Sequence, residues 1–77
     1  AVLAPGGLDP VVKEMVVLAA SMASGCAYCT ASHTAAARAK GMTAAQHGEL
    51  LAVVGMAAET NRLAEALRVP IDRQFEA

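Results

Sequence analysis

Apolar side chains recur at Val11, Met15, Leu18 and Met22, spacings of four, three and four that lay one stripe along a helix. Such a helix is expected over residues 10–24. Asp9-Pro10 predicts its start: the Asp carboxylate acts as N-cap for free backbone N–H groups, and Pro10 occupies the first turn, where its missing N–H costs nothing. Ser24-Gly25 interrupts the pattern and is placed to cap the next helix. That second helix is expected over 26–40. Gly41 supplies its left-handed stop, just after Arg38 and Lys40, two cations suited to the negative end of a helix. Thr43-Ala44-Ala45-Gln46 fits a capping box and opens a third helical stretch over 44–68, as one helix or two. Its apolar face is Leu50, Leu51, Val54 and Ala57, continued by Leu63 and Leu67. Gly55 fits a kink or a close helix approach, and Val69-Pro70 ends the stretch, because a residue before proline resists helical geometry. Ala1–Leu8, with Pro5-Gly6-Gly7, reads as an irregular arm before Asp9. No strand pattern, repeat or domain boundary appears. The expected fold class is all-α, one domain of helical hairpins over 1–77.

Composition adds a demand for partners. The chain has 77 residues, 56% of them hydrophobic, and a mean hydropathy of +0.43. So short a chain buries little of its surface alone. Two cysteines make no disulfide scaffold, and no obvious set of four structural zinc ligands is present. Apolar surface hidden between identical subunits reconciles these facts, so a homo-oligomer is expected. A net charge of −1, a pI near 6.1 and only one Tyr, one Phe and no Trp leave neither a basic footprint nor a stacking platform for nucleic acid. Met15–Ser32 carries no charge, but Ser21, Ser24, Gly25, Tyr28 and Thr30 interrupt it and no basic clusters flank it. A membrane span is therefore not expected. Ala1–Leu8 has neither a basic start nor a long apolar region, so no signal peptide is expected there and the expected location is cytoplasmic.

The chemistry concentrates on one stripe. Cys26, Cys29 and His33 stand at i, i+3 and i+7, within about 60° of one another around a helix. Cys29 and His33 are an i, i+4 pair, close enough for their side chains to meet. The set meets three needs of thiol redox chemistry: a thiolate that attacks, a second thiol within disulfide reach, and a titratable base. Placement at a helix start brings the β-carbons of Cys26 and Cys29 near bonding range and adds a partial positive charge that favours thiolate. Glu14, at the edge of the first apolar stripe, is expected to be partly desolvated, with its pKa pushed upward. Across a hairpin at Ser24-Gly25 it would approach His33 or Cys26, directly or through water. Other readings stand beside this one. The cysteines also fit small buried apolar residues in a structural or redox-sensing oligomer with little turnover. A metal-binding module is a further alternative, with zinc held by Cys26, Cys29, His33 and one of Glu14 or His47. Haem attachment is excluded, because Thr30 stands where a C-x-x-C-H motif needs His. His47 alone reads as a solvated surface residue, and Tyr28 as a pocket or subunit-contact residue.

Glu14, eleven intervening residues, Cys26-Ala27-Tyr28-Cys29 and then His33 resemble the alkylhydroperoxidase D-like branch of the carboxymuconolactone decarboxylase superfamily. Gly25–His33 is similar to that family's core, and the alanine-rich helix, the Gly41-Met42-Thr43 turn and Thr60–Leu67 are similar to the rest of small single-domain members. The likeness runs from about Val11 to Asp72. Tyr28 departs from the fullest form of the motif, which has a second His there, and the chain is shorter than typical members, with no counterpart of their leading helix. The resemblance implies an alkylhydroperoxidase D-like helical domain assembled as a trimer or hexamer. It implies an enzyme of peroxiredoxin type that reduces hydroperoxides or exchanges dithiol for disulfide. Cys29 would be the attacking thiol, Cys26 the resolving thiol, and His33 with Glu14 a proton relay. The implied partners are a hydroperoxide and a thiol reductant, lipoyl-bearing proteins among the family's reductants, with no metal or organic cofactor. Lactone decarboxylation, the family's other activity, does not rely on such a cysteine pair.

Overall fold

A computed structural model describes residues 6–76 and contains, among them, three α-helices and one short 3-10 turn, with no strand. Helix α1 spans Pro10–Ser24, α2 Ala27–Ala39 and α3 Ala44–Ala66; the 3-10 turn is Arg73–Phe75. Of the expected irregular arm, residues 6–8 form bends, while residues 1–5 lie outside the described residues.

Pro10 is at the first position of α1, and the Asp9 carbonyl accepts from the Lys13 N–H at 3.0 Å. The Asp9 side chain makes no capping bond, so its expected role falls to the backbone. Gly25, at φ 77°, closes α1: its N–H donates to the Met22 carbonyl, and the Cys26 N–H donates to the Ser21 carbonyl. That paired closure is a Schellman motif, and a residue with a β-carbon adopts its left-handed geometry only with strain. The cap of α2 is Cys26 rather than Ser24, whose hydroxyl instead donates back to the Ser21 carbonyl. The uncharged run Met15–Ser32 is thus split between two helices by a tight turn, and no helix among the described residues is long and apolar enough to cross a membrane.

A second Schellman motif ends α2. Gly41, at φ 110°, donates to the Arg38 carbonyl and Met42 to the Ala37 carbonyl. The motif brings Met42 back over the last turn, against Ala37, and the two join Leu18 as the buried core. Val11, Met15 and Met22 of the first stripe, with Leu50 of α3, pack around it. Thr43 and Gln46 form both bonds of the capping box, at 3.0 and 2.9 Å.

Helix α1 packs against both α2 and α3, most extensively against α2. Along α3 no residue is fully buried, and Leu51, Val53, Met56 and Leu63 are about half exposed. A β-carbon at Gly55 would meet nothing within 4 Å, and α3 runs unbroken through it, so within the chain Gly55 marks neither a helix contact nor a break. The helix ends earlier than Val69-Pro70 implies, at Ala66, in a third Schellman closure with Arg68 in the left-handed position at φ 51°. The result is open: the radius of gyration is 14.9 Å, against about 11.5 Å for a compact domain of this length.

Candidate functional site: a helix-start disulfide beside a buried carboxylate

The Schellman turn at Gly25 delivers Cys26 directly to the N-cap of α2. From there the Cys26 sulfur accepts from the Cys29 N–H at 3.2 Å, a place usually held by Ser, Thr, Asp or Asn oxygen. Cys26 and Cys29 are joined in a disulfide, with α-carbons 5.3 Å apart, inside the usual range. Both residues are half-buried, and Tyr28 between them is 83% exposed.

One turn on, His33 Nδ1 lies 2.9 Å from Glu14 Oε2. Glu14 projects from α1 and is buried, its side chain only 4% exposed. Its other oxygen, Oε1, accepts from Lys40 Nζ at 2.8 Å. Both carboxylate oxygens are therefore engaged, and among the described residues no buried side-chain nitrogen or oxygen is left without a partner. These contacts reverse the expected direction of the Glu14 pKa. The hydrogen bond from Lys40, then that with His33, hold the carboxyl below the ordinary glutamate value, outweighing the upward push of burial. An ionised carboxylate only accepts hydrogen bonds. His33 Nδ1 must then carry its proton toward Glu14, and in the neutral ring the lone pair belongs to Nε2.

The four residues expected to carry chemistry are thus brought into one region: Cys26 and Cys29 in the disulfide, His33 on the next turn of the same helix, and Glu14 bonded to His33 across the hairpin. Lys40 was not anticipated as part of the group, because Arg38 and Lys40 read as ordinary helix-end cations. A signal was available. Lys40 is seven residues beyond His33, as His33 is seven beyond Cys26, and two helical turns return each to the same stripe. His47 stands apart, half-buried with Nδ1 3.4 Å from the Arg38 guanidinium. Among the described residues, no three or more His, Cys, Asp or Glu side chains gather so as to hold a metal ion. A shallow groove of about 240 Å³ between α1 and α3, lined by Met15, Gln46, Glu49, Leu50 and Val53, includes none of the four.

The family model described as "Carboxymuconolactone decarboxylase family" matches residues 1–72. Among solved structures, the chain is similar to the alkylhydroperoxidase AhpD core from Rhodospirillum rubrum, with 58% identity and a TM-score of 0.90. That match covers 92% of this chain and 52% of the other, so this chain spans about half the length of its structural relative. No curated protein matches. With a family model covering nearly the whole chain and a high-identity fold match, the chain belongs to the carboxymuconolactone decarboxylase family, on its alkylhydroperoxidase D-like side.

Proposed function

We propose that the protein is a thiol-dependent peroxidase that reduces hydroperoxides through a Cys26/Cys29 dithiol cycle, with His33 and Glu14 governing the proton. The observation that carries this reading is the Cys26–Cys29 disulfide at a helix start, with His33 of the same helix bonded to a buried carboxylate.

In the reduced enzyme, Cys29 gives its proton to His33 Nε2, one helical turn away, and attacks the peroxide's terminal oxygen. The O–O bond breaks, Cys29 becomes a sulfenic acid, and the departing alkoxide takes the proton from His33 and leaves as an alcohol. Cys26 then attacks the Cys29 sulfur; the disulfide forms and hydroxide leaves, taking the Cys26 proton to become water. The Cys29 N–H aimed at the Cys26 sulfur supports this resolving role, because it stabilises negative charge there. It also favours Cys26 as the leaving sulfur when an external thiolate attacks Cys29 in the return step. A second reductant thiol completes that step, so two thiols are oxidised to one disulfide and the Cys26/Cys29 dithiol is restored. A lipoyl-bearing protein supplies both thiols in one group, and a reducing cytoplasm sustains it.

The working form in this reading is a homo-oligomer, a trimer or hexamer. Support comes from surface area: the chain exposes 5867 Å², where about 4400 Å² is usual for a folded monomer of 7.8 kDa. The apolar side of α3 lies within that surplus. The direct test is peroxide consumption with dihydrolipoamide as reductant. Turnover that disappears in Cys29→Ser supports the reading, while a wild-type rate no higher than that of free dithiol would overturn it.

A further inference from the structure

Lys40 closes a three-residue chain across the α1–α2 hairpin: Lys40 Nζ to Glu14 Oε1 at 2.8 Å, and Glu14 Oε2 to His33 Nδ1 at 2.9 Å. The three differ in access to water. The Glu14 side chain is 4% exposed, His33 28% and Lys40 36%. A carboxylate buried to that degree needs a countercharge to remain ionised. The cation that supplies it arrives from the C-cap of α2, where the Gly41 turn fixes the backbone of Lys40.

We propose that Lys40 is a positioning residue of the redox site: by occupying Oε1 it fixes Glu14 as an anion, so that Glu14 orients the His33 ring and the mobile proton stops at His33. Glu14 is then an orienting group in place of a second proton carrier. The inference deepens the peroxidase reading and rests on it only for its kinetic consequence. Three facts support it. Both carboxylate oxygens already hold a hydrogen-bond partner, Lys40 on one and His33 on the other. The carboxyl is held below its ordinary value, first by the Lys40 hydrogen bond. And with Nδ1–H locked on Glu14, the neutral ring has one acceptor, Nε2, on the stripe that carries Cys29.

The neighbouring titratable groups leave the pairing intact. From α2, Glu14 is faced by Lys40 and His33. Lys13 precedes it on α1, about 100° away around the helix. The α3 face packed on α1 brings Leu50; of the titratable groups at that end of α3, His47 lies by Arg38 and Glu49 lines the groove with Met15.

The experiment follows the Glu14 side-chain carboxyl by ¹³C NMR and the His33 ring nitrogens by ¹⁵N NMR through a pH titration. It uses the full chain, as wild type, Lys40→Met, Lys40→Gln and Lys40→Arg, with peroxide reduction measured over the same pH range. Lys40→Met and Lys40→Gln are expected to move the Glu14 titration upward. Below that raised midpoint a protonated Glu14 can donate to Nδ1, so the neutral ring should begin to hold its proton on Nε2. The acid limb of kcat should move upward by the same amount with little change in KM. Lys40→Arg restores the wild-type titration, because charge and reach are kept. A Glu14 titration that stays put in a folded Lys40→Met or Lys40→Gln protein would overturn the proposal. So would a Lys40→Arg titration displaced as far as that of Lys40→Met. The spectra are read whether or not the enzyme turns over. Absent peroxide turnover with a Lys40-dependent Glu14 titration would therefore sink the peroxidase reading and leave the positioning role standing.

Discussion

Helices α1 and α3 begin with similar means and reach opposite ends. Each carries an apolar face at helical spacing and each opens on a recognisable cap. On α1 that face is used: Leu18 is fully buried, Met15 and Met22 pack around it, and Glu14 and Ser21 are buried with their polar atoms bonded. On α3 only Leu50 reaches the core, while Leu51, Val53, Met56 and Leu63 stay about half exposed along 23 residues. The difference lies in what each helix meets. The Schellman turns at Gly25 and Gly41 fold α2 back onto α1 and bring Met42 to the core between them; α3 packs on α1 alone, and among the described residues no other element covers it. The hairpin therefore holds the cysteines, His33 and Glu14 by itself, and α3 carries the apolar surface that the proposed homo-oligomer would bury.

The largest expected effect is on the hairpin. Leu18→Ala should cost about 3 kcal/mol, the usual range for a fully buried leucine, read as a lowered denaturation midpoint at unchanged slope. The same cost for Leu51→Ser in a chain diluted to monomer would erase the contrast between the two helices. Next comes assembly. Sedimentation of the wild type at micromolar concentration should give a species several times 7.8 kDa, and the double substitution Leu51→Ser, Met56→Ser should shift it toward the single chain. A wild type that sediments as one chain at every concentration would remove the proposed role of α3.

The pH dependence of stability comes third. The Glu14 carboxyl is held below its ordinary value of 4.5 by Lys40 and His33, so its contribution is complete above that value and lost as pH falls through the lower folded value. Urea midpoints measured from neutral to acid pH should therefore fall more steeply for wild type than for Glu14→Gln, which has no such charge to lose. The smallest effect belongs to Arg68, whose left-handed φ of 51° strains any residue with a β-carbon. Arg68→Gly should stabilise the end of α3 by about 1 kcal/mol, detectable as slower amide exchange at Leu67 and Val69.

Much of this was legible from local signals. Pro10, the Gly41 stop and the Thr43–Gln46 box each concern neighbours within a few residues, and the three helices follow from them. The stripe that gathers Cys26, Cys29 and His33 is also local, being set by helical period alone. What could not be read depends on distance or on the backbone. The Asp9 side chain leaves its capping bond unmade, and Cys26 takes the cap expected of the Ser24-Gly25 turn. The direction of the Glu14 pKa turned on Lys40, 26 residues away, and burial alone argued the other way. Periodicity marked an apolar face on α3 but carries no information on what covers it.

The central claim is that Cys29 attacks and Cys26 resolves, and trapping with a sulfenic-acid probe tests it most directly. The native Cys26→Ser and Cys29→Ser proteins are exposed to a small excess of peroxide, labelled, and mapped by mass spectrometry. The account predicts a stable adduct on Cys29 in the Cys26→Ser protein and no adduct in the Cys29→Ser protein. An adduct on Cys26 in the Cys29→Ser protein, with none on Cys29 in its counterpart, would contradict it.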